Sequence, residues 1–402
     1  MAERAAVAAD RLNLIRVMPA QGRPKVHRPG RNQLPAAEMN HNRSDAIVVG
    51  AGVIGLACAW RAAERGLDVL VLEREGPGAG ASRVAAGMLA PVGEARWGED
   101  RLLELALDSH RLWPRFAAEV AAASGREAGY RELGALHVAL DADEAQELRR
   151  RFELMRSHDL AAEWLTPGGC RELEPGLAAG GRGGVYAPHE AVVDSRALTA
   201  ALALALEAAG GRIEIAEVDR ALIEGGRLVG VRTAGGAEHR AANLVLAAGS
   251  WSAAEWLPAE ARPPVRPVKG QILTLAGAAS RPVCERIVAG EHFYAVPRAD
   301  GRLVVGATVE ELGFDTRVTA GGVYELLRAS YRALPEIAEL ELVEAVAGLR
   351  PATPDNLPLI GPGAIDGLIL ATGHFRNGIL LAPLTAERIA SILSGDRQAV
   401  AR

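Results

Sequence analysis

The segment that most restricts what this chain can become is D-A-I-V-V-G-A-G-V-I-G, residues 45–55, where a β-branched apolar run meets three glycines spaced G-x-G-x-x-G. The run reads as a strand, and residues 53–66 repeat apolar positions at helical spacing, so the glycines fall at a strand-to-helix turn. In that setting Gly50 permits the tight turn, Gly52 lets backbone approach a pyrophosphate, and Gly55 lets helix and strand pack closely. The phosphates would sit on the helix N-terminus at Val53 and Ile54. A second apolar run, D-V-L-V-L-E, ends at Glu73, about 20 residues on, where a carboxylate accepts hydrogen bonds from an adenosine ribose. A glycine-rich loop that merely packs is the alternative; the flanking strands and Glu73 weigh against it.

The rest of the chain divides around this unit. A-V-V-D-S-R opens a helix running to residue 209, with Asp194 or Ser195 as its cap and Gly210-Gly211 as its stop. Strands are expected at R-I-E-I-A, at 227–233 and at 238–249, the last closing on the small residues Ala247, Ala248 and Gly249. Helices near 100–123 and 141–157 and strands near 131–140, 265–275, 292–297, 302–307 and 341–349 form a second region. Its strands follow one another through short turns such as A-D-G-R, which predicts an antiparallel sheet. The fold class is therefore α/β: a Rossmann-type parallel sheet in a dinucleotide-binding domain (45–98, 165–260 and 350–396) beside an α+β substrate domain (99–164 and 261–349). P-L-I-G, G-L-I-L-A-T and a final helix through 394 would close the first domain. Residues 1–44 carry Arg, Pro, Gln and Asn without apolar period and are read as a disordered extension, Met39 lying just before the first strand.

Composition narrows the function. A net charge of -5 and the lack of a basic stripe give no case for nucleic acid. No apolar run approaches the roughly 20 residues that cross a bilayer, so no membrane anchoring is expected. Cys58, Cys170 and Cys284 form neither a CxxC pair nor a disulfide framework, so no metal centre is expected and a reducing cytoplasm fits. The stretch A-G-A-S-R-V-A-A-G-M-L-A, residues 79–90, is small enough for backbone to approach a flat cofactor, or else is a flexible loop.

Several blocks together are more discriminating: G-A-G-V-I-G with Glu73, A-S-R-V-A-A-G-M-L-A-P, V-K-G-Q, F-Y-A-V-P-R, G-R-L-V-V-G-A-T, A-G-L-R-P-A-T and G-H-F-R-N-G-I-L-L-A-P. Spread over residues 45–395, they resemble the D-amino-acid oxidase superfamily, and within it the glycine oxidase family. The resemblance implies noncovalent FAD in a glutathione-reductase-like domain, an antiparallel substrate domain and a homotetramer. Carried over by position, it implies FAD contacts at Val53, Ile54, Glu73, Arg74, Ala81 and Ser82. Ala86, Gly87 and Met88 would approach the isoalloxazine, Val218 would offer backbone to the adenine side, and His374, Phe375, Arg376, Asn377, Gly378, Ile379 and Leu380 would wrap the pyrimidine edge. The turn Gly373–Gly378 leading into I-L-L-A-P-L-T-A-E-R-I would aim helix-end amides at the N1/C2 oxygen locus, where negative charge develops.

The same resemblance implies oxidative deamination of glycine or another small amine with dioxygen, giving ammonia and peroxide, the imine feeding the thiamine thiazole. Hydride transfer to a flavin asks little acid–base work of the protein, so positioning dominates and no acid–base residue is assigned. An arginine fork suits a substrate carboxylate. Arg350 in A-G-L-R-P matches the family's clamp, Tyr294 its assisting phenol and Arg376 a second substrate-side cation. Each has a plainer reading, as a surface ion pair or a core tyrosine. Lys269 reads as an edge-strand lysine and is left out. Relatives with covalent flavin carry a cysteine near Leu349-Arg350-Pro351; its absence argues against the sarcosine oxidase type. D-amino-acid oxidases, dehydrogenases of this fold and a non-catalytic flavin-binding subunit stay open.

Overall fold

The computed structural model describes residues 43–395. The strand Arg43–Val49 is buried from Ala46 to Val49, and it lies in the middle of an eight-stranded sheet, flanked in parallel by Val69–Glu73 and Glu238–Leu246. Arg212–Ile215 extends the sheet beyond Val69–Glu73, and Leu368–Thr372 adds to Glu238–Leu246, both in parallel. Near-continuous apolar strands of this kind need cover on both faces. One face is covered by the helices Val53–Glu64, Ser195–Ala208 and Ala382–Leu393, whose Leu56, Trp60, Leu202 and Ile389 share one core. Asp194, not Ser195, caps the second helix, accepting from the Arg196 and Ala197 amides at 3.0 and 3.1 Å.

The second eight-stranded sheet runs Glu341–Ala352, Arg266–Ala276, Arg302–Gly306, Tyr294–Pro297, Ile287–Ala289, Ala135–Ala139, Gly183–Ala187 and Glu163–Leu165. It is antiparallel as expected, apart from the parallel pair of Ile287–Ala289 with Ala135–Ala139. A small sheet of Met88–Leu89, Ala191–Val192 and Arg131–Glu132 lies outside both.

Four expectations need correction. Residues 165–187, assigned to the dinucleotide-binding domain, belong to the second sheet, because Gly183–Ala187 hydrogen-bonds Ala135–Ala139 on one side and Glu163–Leu165 on the other. The helix Asp100–Ser124, assigned to the substrate domain, packs Ala106, Trp113, Phe116 and Val120 into the core of the first sheet's helices. The boundary at residue 350 falls inside a strand, since Glu341–Ala352 stays paired with Arg266–Ala276 to its last residue. Lys269 is not on an edge: its backbone pairs with Leu349 on one side and exchanges two hydrogen bonds with Glu310 on the other, at 2.9 and 3.0 Å. The expected extension 1–44 lies outside the described residues except for Arg43 and Ser44, which already pair with Arg240 and Ala241. Residue 396, the last of the expected first domain, lies outside them as well. Among the described residues no helix is long and apolar enough to cross a membrane.

Candidate functional site

A cavity of about 720 Å³ opens at the C-terminal ends of the central parallel strands and continues along Arg266–Ala276 and Glu341–Ala352. Crevices at the carboxyl ends of such strands are where ligands bind in open α/β sheets. Of the residues singled out in the sequence, Gly50, Gly52, Val53, Ile54, Glu73, Arg74, Ala81, Ser82, Ala86, Gly87, Met88, Val218, Tyr294, Arg350 and 374–380 all line it. Gly55 does not, and its role is packing: a Cβ there would lie 1.9 Å from the Gly50 carbonyl oxygen. Gly50 has φ +105°, and a side chain would meet the Ala247 carbonyl oxygen at 2.5 Å. Only glycine satisfies both demands.

The residues fit a dinucleotide. Helix Val53–Glu64 has no side-chain cap, so its first-turn amides have no intrahelical acceptor. Ser82, from the short helix Ala81–Val84, accepts from the Val53 amide at 2.9 Å and joins the loop to that helix end. Glu73 is held at the lip by the Ala51 and Glu75 amides at 2.7 and 3.1 Å. The Arg74 guanidinium lies 4.0 Å from the Trp251 ring centroid, beside Phe314. The small-residue loop is tied to its surroundings by side-chain and packing contacts. Arg298 donates to the Ala86 and Val193 carbonyls at 2.6 and 3.1 Å, and a Cβ on Gly87, at φ +70°, would lie 1.9 Å from the Val193 oxygen. The smallness of Gly87 therefore serves protein packing directly.

Arg350 faces the cavity from the strand Glu341–Ala352. Its Nη1 donates to the backbone carbonyls of Thr308 at 3.1 Å and Lys269 at 3.4 Å, and among the described residues no carboxylate lies within ion-pairing distance. Gly270, on the neighbouring strand, makes room: a Cβ there would meet Arg350 Nη1 at 2.2 Å. Tyr294 stands beside Gly306, where a Cβ would lie 2.3 Å from the phenol oxygen. Burial pushes the Tyr294 phenol up, against the opposing pull of the Arg350 guanidinium, so it is a neutral donor at ordinary pH. Lys269, itself fully buried, does not line the cavity; its Nζ lies 3.5 Å from Glu310 and 4.0 Å from Asp315, both partly exposed.

Arg376 reaches the cavity with its charge already matched. Its Nε donates to Glu94 at 2.9 Å and its Nη2 to Glu99 at 2.5 Å. His374 is buried, and desolvation pushes its imidazole down to about 3, so it is neutral at ordinary pH. Thr385 gives its hydroxyl proton to the Leu381 carbonyl at 2.8 Å, so the 3.0 Å contact assigns the His374 proton to Nε2. The last helix starts at Ala382, a turn later than the expected Ile379, with Pro383 in its first turn, where the missing amide costs nothing. Before it, Phe375–Asn377 form a short 3-10 turn. Trp113 and Ser109 of the long helix both donate to the Leu380 carbonyl, at 2.9 and 2.7 Å, and anchor this wall.

Sequence reasoning missed Glu94 and Glu99, because G-E-A-R-W-G-E reads as a solvated loop. It also missed Gly270 and Ser250, whose hydroxyl ties the turn after Glu238–Leu246 to the Leu349 carbonyl at 3.0 Å. The A-A-G-S-W sequence after a strand was the one available signal for the latter.

A family model described as DAO, FAD dependent oxidoreductase, matches residues 45–392. The glycine oxidase of Geobacillus kaustophilus is 37% identical over 360 residues, covering 88% of this chain and 94% of that protein. The bifunctional protein ThiO/ThiG of Trichormus variabilis is 38% identical over 357 residues, covering 87% of this chain and 52% of that protein. The chain thus spans about half the length of the bifunctional relatives it matches. The crystal structure of the Geobacillus kaustophilus glycine oxidase has a TM-score of 0.82 at 36% identity, covering 89% of this chain and 96% of that one.

Proposed function

Because the chain belongs to the DAO family of FAD dependent oxidoreductases, we propose that it oxidises a small amino acid, glycine in the first instance. The reaction takes glycine, water and dioxygen to glyoxylate, ammonia and hydrogen peroxide. FAD, when bound, supplies the acceptor for the hydride leaving the carbon that bears nitrogen. Gly50, Gly52, Val53 and Ile54 would hold its pyrophosphate and Glu73 its ribose. Binding is read as noncovalent: Cys58, Cys170 and Cys284 are all buried, and none of them lines the cavity.

The observation that carries the reading is Arg350, a half-buried guanidinium facing the cavity without a carboxylate partner among the described residues. A cation in that state is stabilised by an anionic ligand, and its fork can take both oxygens of a carboxylate. Tyr294, neutral and beside it, would donate to the same group. Together they would fix the substrate so that its α carbon rests against the flavin ring, and orientation is the larger part of what this chemistry asks of the protein. His374, neutral with its proton committed to Thr385, takes no part in proton transfer. The role proposed for the product imine, feeding a thiazole in thiamine synthesis, is supported by likeness to the bifunctional ThiO/ThiG proteins.

Anaerobic mixing of the yellow holoprotein with glycine, sarcosine and D-alanine tests the reading. Glycine should bleach the flavin, and admitting air should restore colour and release peroxide. Bleaching by none of the three would end the assignment.

A further inference from the structure

The cavity wall carrying Arg376 is the less obvious part of the site. One guanidinium there is shared by two carboxylates, and the two are not equivalent. Glu99 uses both oxygens: Oε2 accepts from Arg376 at 2.5 Å and Oε1 from the Asn356 amide at 2.8 Å. Glu94 uses one, Oε2, which accepts from Arg376 at 2.9 Å, while Oε1 has no hydrogen-bond partner among the described residues. Glu94 lines the cavity, and Glu99 does not.

The position of Glu94 is also built rather than incidental. The amide of the preceding residue, Gly93, donates at 2.5 Å to Glu190, itself 1% exposed, and the Gly93 carbonyl accepts from Arg151. Gly93 has no room for a side chain, since a Cβ would lie 2.0 Å from His137 Nε2. The Glu94 amide donates to the Ala90 carbonyl at 3.1 Å. Buried Glu190 and half-buried Arg151 thus clamp the peptide that presents this carboxylate, and a clamped carboxylate oxygen loses solvation once a ligand closes the cavity over it.

Resting on the reading of Arg350 as the carboxylate clamp, we infer that Glu94 Oε1 accepts the hydrogens of the substrate's amino group, so that the site selects amine-bearing carboxylates over carboxylates without nitrogen. The two ends of an amino acid then meet groups of opposite charge on two walls of one cavity. A ligand without the amine would leave Glu94 Oε1 desolvated and unpaired, and penalties of that kind reject analogues more strongly than missing apolar contacts do.

The test compares glycine with acetate on holoenzyme carrying Glu94→Gln, Glu94→Asp or Glu99→Gln. Acetate is titrated against the flavin spectrum, and glycine half-saturation is taken from anaerobic flavin reduction. Glu94→Gln should raise glycine half-saturation by about ten- to a hundredfold and leave acetate binding unchanged or tighter. Glu94→Asp, which keeps the charge, should recover part of that loss. Glu99→Gln, which also loosens Arg376, should leave the glycine-to-acetate ratio as in the wild type. Equal weakening of glycine and acetate in Glu94→Gln would make Glu94 a support for Arg376 only, and unchanged glycine half-saturation would remove it from the site; either overturns the inference while Arg350 stands. A wild-type flavin perturbed by neither ligand would instead overturn the carboxylate clamp, and the inference with it.

Discussion

Arg350, in the strand Glu341–Ala352, and Arg376, in the turn after Leu368–Thr372, line one cavity in opposite circumstances. Arg350 donates to backbone carbonyls and has no carboxylate within ion-pairing distance among the described residues, whereas Arg376 lies between Glu94 and Glu99. Both residues sit in sequence blocks that carry the family resemblance, A-G-L-R-P-A-T and G-H-F-R-N-G-I-L-L-A-P. An unpaired, half-buried cation costs stability and is relieved by an anion, so it reads as a ligand group. A cation between two carboxylates holds structure and leaves the local balance negative. The sign of charge that a ligand meets is thus set by partners far away in sequence.

The contrast can be broken by experiment. Arg376→Ala would leave Glu94 and Glu99 without their shared cation, and a loss of about 3 kcal/mol is expected on breaking such a partly buried pair, read from the denaturant midpoint. An unmoved midpoint would erase the distinction between the two arginines. Arg350→Ala should instead leave stability within about 0.5 kcal/mol and weaken acetate binding by about 1.5 to 3 kcal/mol in a flavin titration. Unchanged affinity would remove Arg350 from the site.

Gly270→Ala sharpens the point without touching charge. The added methyl would occupy the space beside Arg350 Nη1, so the guanidinium must shift, and acetate binding should fall by about tenfold, ~1.4 kcal/mol. Retained affinity would mean that Arg350 tolerates displacement. Last and smallest, Arg74→Ala removes the guanidinium lying over Trp251, worth about 0.5 to 1 kcal/mol, and should lower the affinity of the apoprotein for added FAD by that amount without altering acetate binding. An effect on acetate as large as that of Arg350→Ala would contradict the separation of the cofactor lip from the carboxylate clamp.

The glycine-rich turn proposed to hold a dinucleotide was legible because its determinants are local. Gly50, Gly52, Gly55 and Glu73 lie within one strand–turn–helix–strand unit, where backbone geometry follows directly from residue type. Even there the structure added reasons that sequence lacked, such as the collision that a side chain at Gly50 would have with Ala247 from another strand. The second sheet was legible as a set of antiparallel strands, but the membership of Gly183–Ala187 was not. Its partner Ala135–Ala139 is remote in sequence, and nothing in G-G-V-Y-A says which sheet it joins.

By itself, then, the amino-acid order determined the glycine-shaped turn after the first strand, the α/β architecture and the presence of the arginine and tyrosine that line the cavity. Tertiary structure alone decided that Arg350 would stand beside Gly270 with no ion-pair partner among the described residues while Arg376 would be claimed by Glu94 and Glu99, and that Lys269 would be interior. The reason is physical. Backbone conformation is set by neighbours in the chain, whereas the electrostatic environment of a side chain is set by whatever folding brings within a few ångströms of it.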